Sequence, residues 1–140
     1  MIDKNSLPAF AILKTEIRPK GFVVDHESFF YETNDEMEAH YLAAILNSNA
    51  VNEAIKPLQP RGLFGERHIH RRPFMLPIPR FNKNDPLHVK LAELSKKCHA
   101  KVASIKFTKK STAGLRREAR RSIEKEIAEI DRLVSQLLGL

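Results

Sequence analysis

The chain has 140 residues, of which 42% are hydrophobic and 29% are charged, which is the composition of one globular domain rather than a disordered chain. Lysine and arginine total 24 against 17 acidic residues, and the net charge of +7 favours an anionic partner, nucleic acid first. No apolar run reaches the roughly 18 residues of a membrane span, and the N-terminus lacks the pattern of a secretory signal. The single cysteine, Cys98, excludes an internal disulfide and a four-cysteine zinc site, so we expect a reducing, cytoplasmic setting.

Aromatic and β-branched residues predict strands in the first third of the chain. Three segments have this character, residues 8–18, 22–26 and 28–32. The apolar run at 74–78 contains Pro77 and predicts an edge strand, since proline cannot donate a hydrogen bond to a ladder. We therefore expect a small strand-rich part.

A buried helix is predicted next. Thr33 and Glu36 fit a capping box, and the residues that follow are apolar almost all round the helix, as in a central helix. The polar residues 47–49 compete for backbone hydrogen bonds and predict a break. A short second helix at 50–56 should end at Pro57.

Two long helices are predicted for the C-terminal part. Asp85 suits the N-cap of the first, with Pro86 in its first turn. The second should run from about 115 to 138, after a polar link at 107–114, and an antiparallel hairpin is the simplest packing. The expected fold class is α+β in one compact domain, with a mixed α/β recognition part in residues 1–82 and a helical spacer or docking part in residues 83–140.

Motifs for catalysis are missing from the sequence. It contains no glycine-rich dinucleotide or phosphate loop, no GxSxG, no HExxH and no magnesium-binding nuclease motif. The tetrapeptide with which adenine methyltransferases hold a flipped base is missing as well. We do not expect this chain to be an enzyme by itself.

Residues 61–72 form the most distinctive segment, a basic loop with four arginines and two histidines. Its glycines allow close approach of the backbone, and the guanidinium fork suits phosphates and guanine edges. The residues predicted to contact DNA here are Arg61, Gly62, Gly65, Arg67, His68, His70, Arg71 and Arg72. The alternative is a solvated loop that Phe64 and Ile69 hold against the core. Two histidines do not complete a metal site, so no metal is predicted.

A second basic stretch opens the predicted last helix. Arg116 and Arg117, followed by Arg120 and Arg121, would place cations at the positive end of the helix dipole. A bound anion would relieve this, so Arg116 and Arg117 are further predicted DNA contacts. The alternative is a solvated helix face. The acidic second half of that helix is expected to face solvent or a protein partner.

Two stretches resemble the target-recognition regions of restriction–modification enzymes. One is EAHYLAAILNS at 38–48, and the other is LPIP at 76–79 followed by NDPLH at 84–88 and a Leu-x-x-Leu helix. This order is similar to type I specificity subunits and more closely to the C-terminal region of type IIG adenine-specific DNA methyltransferases. The resemblance covers about residues 22–102 and implies that the 61–72 loop lies near DNA. The methyltransferase core is missing, so we expect a fragment or a stand-alone remnant of such an enzyme.

The leading hypothesis is a non-catalytic DNA-binding target-recognition module that uses phosphate contacts for position and arginines for base edges. The resemblance implies that it positions duplex DNA for N6-adenine methylation by a separate catalytic domain or subunit that uses S-adenosylmethionine, with no cofactor in this chain. The alternative is a protein-interaction module that docks on the methyltransferase or forms a homodimer through the C-terminal helices, using Leu133, Val134, Leu137 and Leu138. RNA binding through the aromatic residues at 29–31 is a third hypothesis.

Overall fold

The computed structural model describes residues 11–12, 30–58, 61–62, 65–66 and 75–140. In this part of the chain the elements are α1 (Glu36–Leu46), α2 (Asn49–Ile55), a 3-10 turn (Lys56–Leu58), β1 (Arg61–Gly62), β2 (Gly65–Glu66), α3 (Pro86–Ala103), α4 (Thr112–Ser122) and α5 (Glu124–Leu138). The two strands pair antiparallel, with Arg61 opposite Glu66 and Gly62 opposite Gly65. Among these helices none is long and apolar enough to cross a membrane.

The predicted α+β class is wrong, because the described residues form helices with one two-residue strand pair instead of a strand-rich part. Phe30 and Tyr31, predicted to lie in a third strand, have no regular secondary structure and are 64% and 59% exposed. The predicted edge strand is also missing from residues 75–78, where the N–H of Ile78 donates to the carbonyl of Leu76 at 2.7 Å in a tight turn. The strands predicted at 8–18 and 22–26 lie outside the described residues, except for 11–12, which form no regular structure.

Helix α1 begins two residues later than the predicted capping box. Its N-cap is Asp35, whose carboxylate accepts hydrogen bonds from the N–H groups of Met37 at 2.8 Å and Glu38 at 3.3 Å. Thr33 lies two residues before the N-cap, and its hydroxyl accepts a hydrogen bond from the N–H of Asp35 at 3.1 Å. An ionised carboxylate is the stronger acceptor for the orphan N–H groups of a first turn. The cap prediction at Thr33 was therefore wrong, although the helix that follows is observed.

The polar residues 47–49 break the helix as predicted, and the side chains of Asn47 and Ser48 satisfy backbone groups at the break. Asn47 donates from its amide to the carbonyl of Ala43 at 2.8 Å, which closes α1. Ser48 is the N-cap of α2 and accepts from the N–H of Val51 at 3.2 Å. Asn49 donates from its backbone and its side chain to the carboxylate of Asp131, at 2.7 and 2.6 Å. The break therefore also fastens the start of α2 to α5.

The core lies where α1 packs against α3 and where α5 crosses both helices. Its largest fully buried side chains are Tyr41, Ile45, Val51, Ile55, Leu91 and Val134. The hydroxyl of Tyr41 donates to the carbonyl of Pro79 at 3.0 Å, and its ring lies 4.7 Å from that of His88 and 5.5 Å from that of Phe81. Burial, with the nearby charge of Asp85, raises the pKa of Tyr41 to about 12. The segment before α3 is thus bound to the middle of α1.

The predicted last helix is two helices, separated at Ile123. At this point the hydroxyl of Ser122 donates to the carbonyl of Ala119 at 2.7 Å, and the N–H of Ile123 donates to the carbonyl of Arg120 at 3.2 Å. Both bonds span three residues, so the last turn of α4 tightens and does not continue into α5. Because Ile123 packs against the core, the change of direction is fixed by burial of its side chain.

Candidate nucleic-acid interface

The structure places the ten predicted contact residues unequally. Five of them lie outside the described residues, namely Arg67, His68, His70, Arg71 and Arg72. Arg61, Gly62 and Gly65 form most of the short antiparallel β1–β2 ladder, which brings their backbones together. Arg116 and Arg117 are exposed on α4. The structure therefore locates five of the ten, on two separate elements.

Nearly all of the net charge lies in residues 106–121, an interval that joins the predicted arginine stretch to the lysines before it. Seven bases and one acid give this interval a net charge of +6, out of +7 for the whole chain. The other 17 bases and 16 acids nearly cancel. The seven side chains are all exposed, and we call them the basic surface: Lys106, Lys109, Lys110, Arg116, Arg117, Arg120 and Arg121. A running sum of charge would have found it.

None of the seven side chains of the basic surface forms an ion pair with another residue in the part of the chain that the structure describes. The lysines of α3 differ, because each of them lies beside a carboxylate. The pairs are Lys90 with Glu129 at 3.6 Å, Lys96 with Glu36 at 3.5 Å, and Lys97 and Lys101 with Glu126 at 3.0 and 2.7 Å. The cations of the basic surface therefore follow directly after the paired lysines of α3.

The arginines of α4 share one face of that helix. Arg116 and Arg120 are four residues apart, as are Arg117 and Arg121, so they form two adjacent columns at the period of about 3.6 residues. Leu115 and Ala119, on the opposite face, are partly buried. Like charges at this spacing destabilise a helix by about 0.2–0.5 kcal/mol per pair. This face is therefore one that a bound polyanion would stabilise.

The only acidic residue of this interval anchors the linker that carries the three lysines. The carboxylate of Glu118 accepts from the backbone N–H groups of Thr108 at 3.1 Å and Lys109 at 3.3 Å, and also from the hydroxyl of Thr108. These bonds, that of the Thr108 hydroxyl above all, lower the pKa of Glu118. Its charge is thus used to position the linker beside α4, and it pairs with no cation of the basic surface within the described residues.

Gly114 explains how the linker approaches the helix so closely. A Cβ atom at this position would lie 2.6 Å from the Cβ of Lys109, well inside van der Waals contact. Positions 114, 117, 118 and 121 follow the i, i+3, i+4, i+7 spacing of one helical face. The linker therefore crosses α4 beside the column formed by Arg117 and Arg121, and the lysines and arginines belong to one continuous surface.

Glu126 is buried, although the sequence predicted an acidic surface here. Only 5% of its surface is exposed, and one carboxylate oxygen, Oε1, takes both Lys97 and Lys101. These lysines, Lys101 first, lower its pKa to about 2. Its other oxygen, Oε2, has no hydrogen-bond partner within the described residues. The carboxylate joins α5 to α3 and pairs with both lysines.

A second polar cluster lies between α1 and α3. The Oγ of Ser95 is 3.2 Å from Nδ1 of His40, and Nε2 of His40 is 3.9 Å from Glu36. Serine, histidine and a carboxylate are the components of a nucleophilic triad. Ser95 and His40 are only 3% and 5% exposed, so no substrate reaches the hydroxyl. The cluster is a hydrogen-bonded contact between two packed helices.

Two arguments made from the sequence are corrected by these positions. Because α4 runs from Thr112 to Ser122, Arg120 and Arg121 lie in its last turn, where cations are favourable to the dipole. The predicted conflict with the helix dipole was therefore wrong, and repulsion between like charges replaces it. The apolar residues of the docking alternative pack inside the fold: Leu133 and Val134 are buried, and Leu137 and Leu138 lie against the core.

The described residues contain no group of three or more His, Cys, Asp or Glu side chains placed to hold a metal ion. Comparisons of the chain with protein-family models, curated proteins and solved structures found no match.

Proposed function

We propose that this chain is a non-catalytic DNA-binding module whose basic surface contacts the phosphates of duplex DNA. The observation that carries the proposal is a set of seven exposed cations, free of internal ion pairs within the described residues, on a helix and on the linker anchored to it. Each cation that meets a phosphate releases counterions, which drives association. Guanidinium groups add bidentate hydrogen bonds to phosphate oxygens.

Nucleic acid suits this surface better than a membrane does. A helix that lies in a lipid interface needs a large apolar face beside its basic one. The apolar side chains of α4, Leu115 and Ala119, are turned inward and partly buried in the fold. The exposed side of the helix offers charge and little apolar area. A regular row of phosphates can pair with these cations without needing an apolar contact.

The proposal gives the two basic segments different tasks. The basic surface holds the duplex without regard to sequence, and the arginines of residues 61–72 read base edges. The second task follows from the sequence of that segment, supported by the antiparallel strand pair at Arg61–Gly62 and Gly65–Glu66. By its resemblance, the module would serve target recognition in a restriction–modification system in the cytoplasm. A separate adenine methyltransferase domain would supply the reaction and bind S-adenosylmethionine.

Salt-dependent DNA binding tests the proposal. The double variant Arg116→Gln, Arg117→Gln should bind a fluorescent duplex more weakly than the wild type. The slope of log K against log salt should fall in magnitude by about 2, since each phosphate contact contributes about 0.9. Fluorescence anisotropy at several salt concentrations measures both quantities.

A matched control separates the basic surface from the net charge. Lys125→Gln, Arg132→Gln removes the same charge from exposed positions on α5, outside the basic surface. This control should change the slope by much less than one contact. If both double variants reduce the slope equally, binding follows the overall charge and the proposed surface is wrong. A third variant, Arg67→Ala, Arg71→Ala, Arg72→Ala, tests the loop, which is rejected as a contact if affinity and slope stay unchanged.

A further inference from the structure

Phe107 is an exposed aromatic residue inside the basic surface. Its side chain is 43% exposed, and it stands in the sequence Lys106-Phe107-Thr108-Lys109-Lys110. A single exposed apolar side chain is ordinary on a protein surface and by itself indicates nothing. Here the ring is next to exposed, unneutralised cations, in the part of the surface where the phosphates of a bound nucleic acid would lie.

The backbone that presents Phe107 is held in place from one side. The next two residues, Thr108 and Lys109, donate their N–H groups to Glu118, and Lys109 packs against Gly114. Ile105, two residues before Phe107, is partly buried and donates its N–H to the carbonyl of Val102 at 3.2 Å. The ring therefore lies on a short segment with fixed points before and after it. An aromatic group fixed in this way loses little conformational freedom when a ligand binds to it.

We infer that Phe107 stacks on an unpaired base, and that the basic surface therefore prefers DNA with locally unpaired bases to fully paired DNA. This inference rests on the proposed function and adds the kind of DNA bound. Proteins that bind single strands combine a positive groove with aromatic side chains on which bases stack, and every base offers a face for stacking. Bases inside a closed duplex are already stacked on each other, so the ring gains a partner only where the duplex is opened.

The test compares two DNA molecules that carry the same number of phosphates. One is fully paired, and the other has a short bulge of unpaired thymines in the middle of one strand. Wild-type protein should bind the bulged DNA about tenfold more tightly, as expected for one stacked base. Phe107→Leu keeps an apolar side chain but removes the aromatic face, and it should lose most of this preference. Phe107→Tyr keeps the face and should retain it.

Phe30→Leu is the matched control, because Phe30 is an exposed phenylalanine outside the basic surface. This variant should bind both DNA molecules as the wild type does, with an unchanged helical circular-dichroism spectrum in every variant. Equal ratios of the two affinities in wild type and Phe107→Leu would overturn the inference and leave the DNA-binding proposal intact. An equal loss on both DNA molecules would overturn it too, since the ring would then act on paired DNA. Failure to bind either DNA at low salt would overturn both proposals.

Discussion

The lysines of α3 and the cations of residues 106–121 are the same kinds of side chain in two different electrostatic situations. On α3 every lysine has a carboxylate within 4 Å, and two of the lysines share the buried Glu126. Along the linker and α4, no cation forms an ion pair with any other described residue. The first group is paired with carboxylates of the chain itself and joins neighbouring helices. The second group is left for a partner, and the comparison shows that position decides which lysines are available.

The two regions also use their acidic residues differently. Glu126 binds two lysine ammonium groups and joins α5 to α3. Glu118 binds backbone N–H groups and a hydroxyl, and thereby shapes the linker without forming an ion pair with its lysines among the described residues. Both carboxyl groups have lowered pKa values, but the main causes differ: hydrogen bonds from two lysine ammonium groups act on Glu126, whereas hydrogen bonds from Thr108 act first on Glu118 and the charge of Lys109 adds a smaller effect. Ion pairs thus stabilise the contact between α3 and α5. The linker of the basic surface is instead positioned by hydrogen bonds that leave its cations exposed.

The largest effect on stability is expected from a substitution in the core around α3. Leu91 lies fully buried on α3 within the core cluster. Leu91→Ala should lower the free energy of unfolding by roughly 2–5 kcal/mol, because it removes buried methyl groups and leaves a cavity. Urea unfolding followed by circular dichroism at 222 nm measures this change. Leu87→Ala, at a partly buried position on the same helix, should have a clearly smaller effect. Equal effects at the two positions would show that Leu91 contributes no more to the core than the partly buried Leu87 does.

The next prediction concerns how the stability of the fold depends on pH through Glu126. Its pKa is about 2 in the folded protein against an ordinary 4.5, so the folded state holds the ionised form more strongly than the unfolded state does. The resulting stability is present above pH 4.5 and is lost as the pH falls from 4.5 towards 2. The advantage of wild type over Glu126→Gln should therefore shrink in this window. Thermal unfolding at a series of pH values measures it.

Glu124→Gln is the control for this titration, because Glu124 is an exposed acid on the same helix with no ion pair to the described residues. Over the same pH range Glu126→Gln should lose more of its difference from wild type than Glu124→Gln does. A constant difference for Glu126→Gln would mean that the two lysines do not hold the ionised carboxylate in the folded state.

Local signals in the sequence predicted the parts of the fold that depend on near neighbours. Asp85 caps α3 and Pro86 occupies its first turn, as predicted, because a cap is formed by residues within one turn. The break at residues 47–49 is confirmed for the same reason. Local signals were not sufficient everywhere, since the cap at Thr33 and a continuous last helix were also predicted from near neighbours and both predictions are wrong.

Features that depend on distant parts of the chain could not be predicted in this way. Phe30 and Tyr31 are β-formers by propensity, yet they are exposed outside any strand, because no described strand pairs with them. Glu126 looks like a surface acid until α3 places two lysines against it. Likewise, whether Lys106 or Lys97 is free for a partner depends on which carboxylates the fold brings near. The charges of the candidate site were therefore visible in the sequence, whereas their availability was not.

The smallest expected change in stability comes from removing arginines of the basic surface. This change should stabilise the fold, although the same substitutions should weaken DNA binding. Arg116→Gln, Arg117→Gln removes one member of each like-charged column on α4, which should raise the free energy of unfolding by a few tenths of a kcal/mol at low salt. The gain should vanish at about 1 M salt, where charges are screened within about 3 Å. Urea unfolding at both salt concentrations measures this, and DNA binding by the same protein is expected to weaken. A loss of stability at low salt would instead mean that these arginines make favourable contacts within the fold. If Arg116 and Arg117 destabilise α4 but strengthen DNA binding, their role is in binding and not in the stability of the fold.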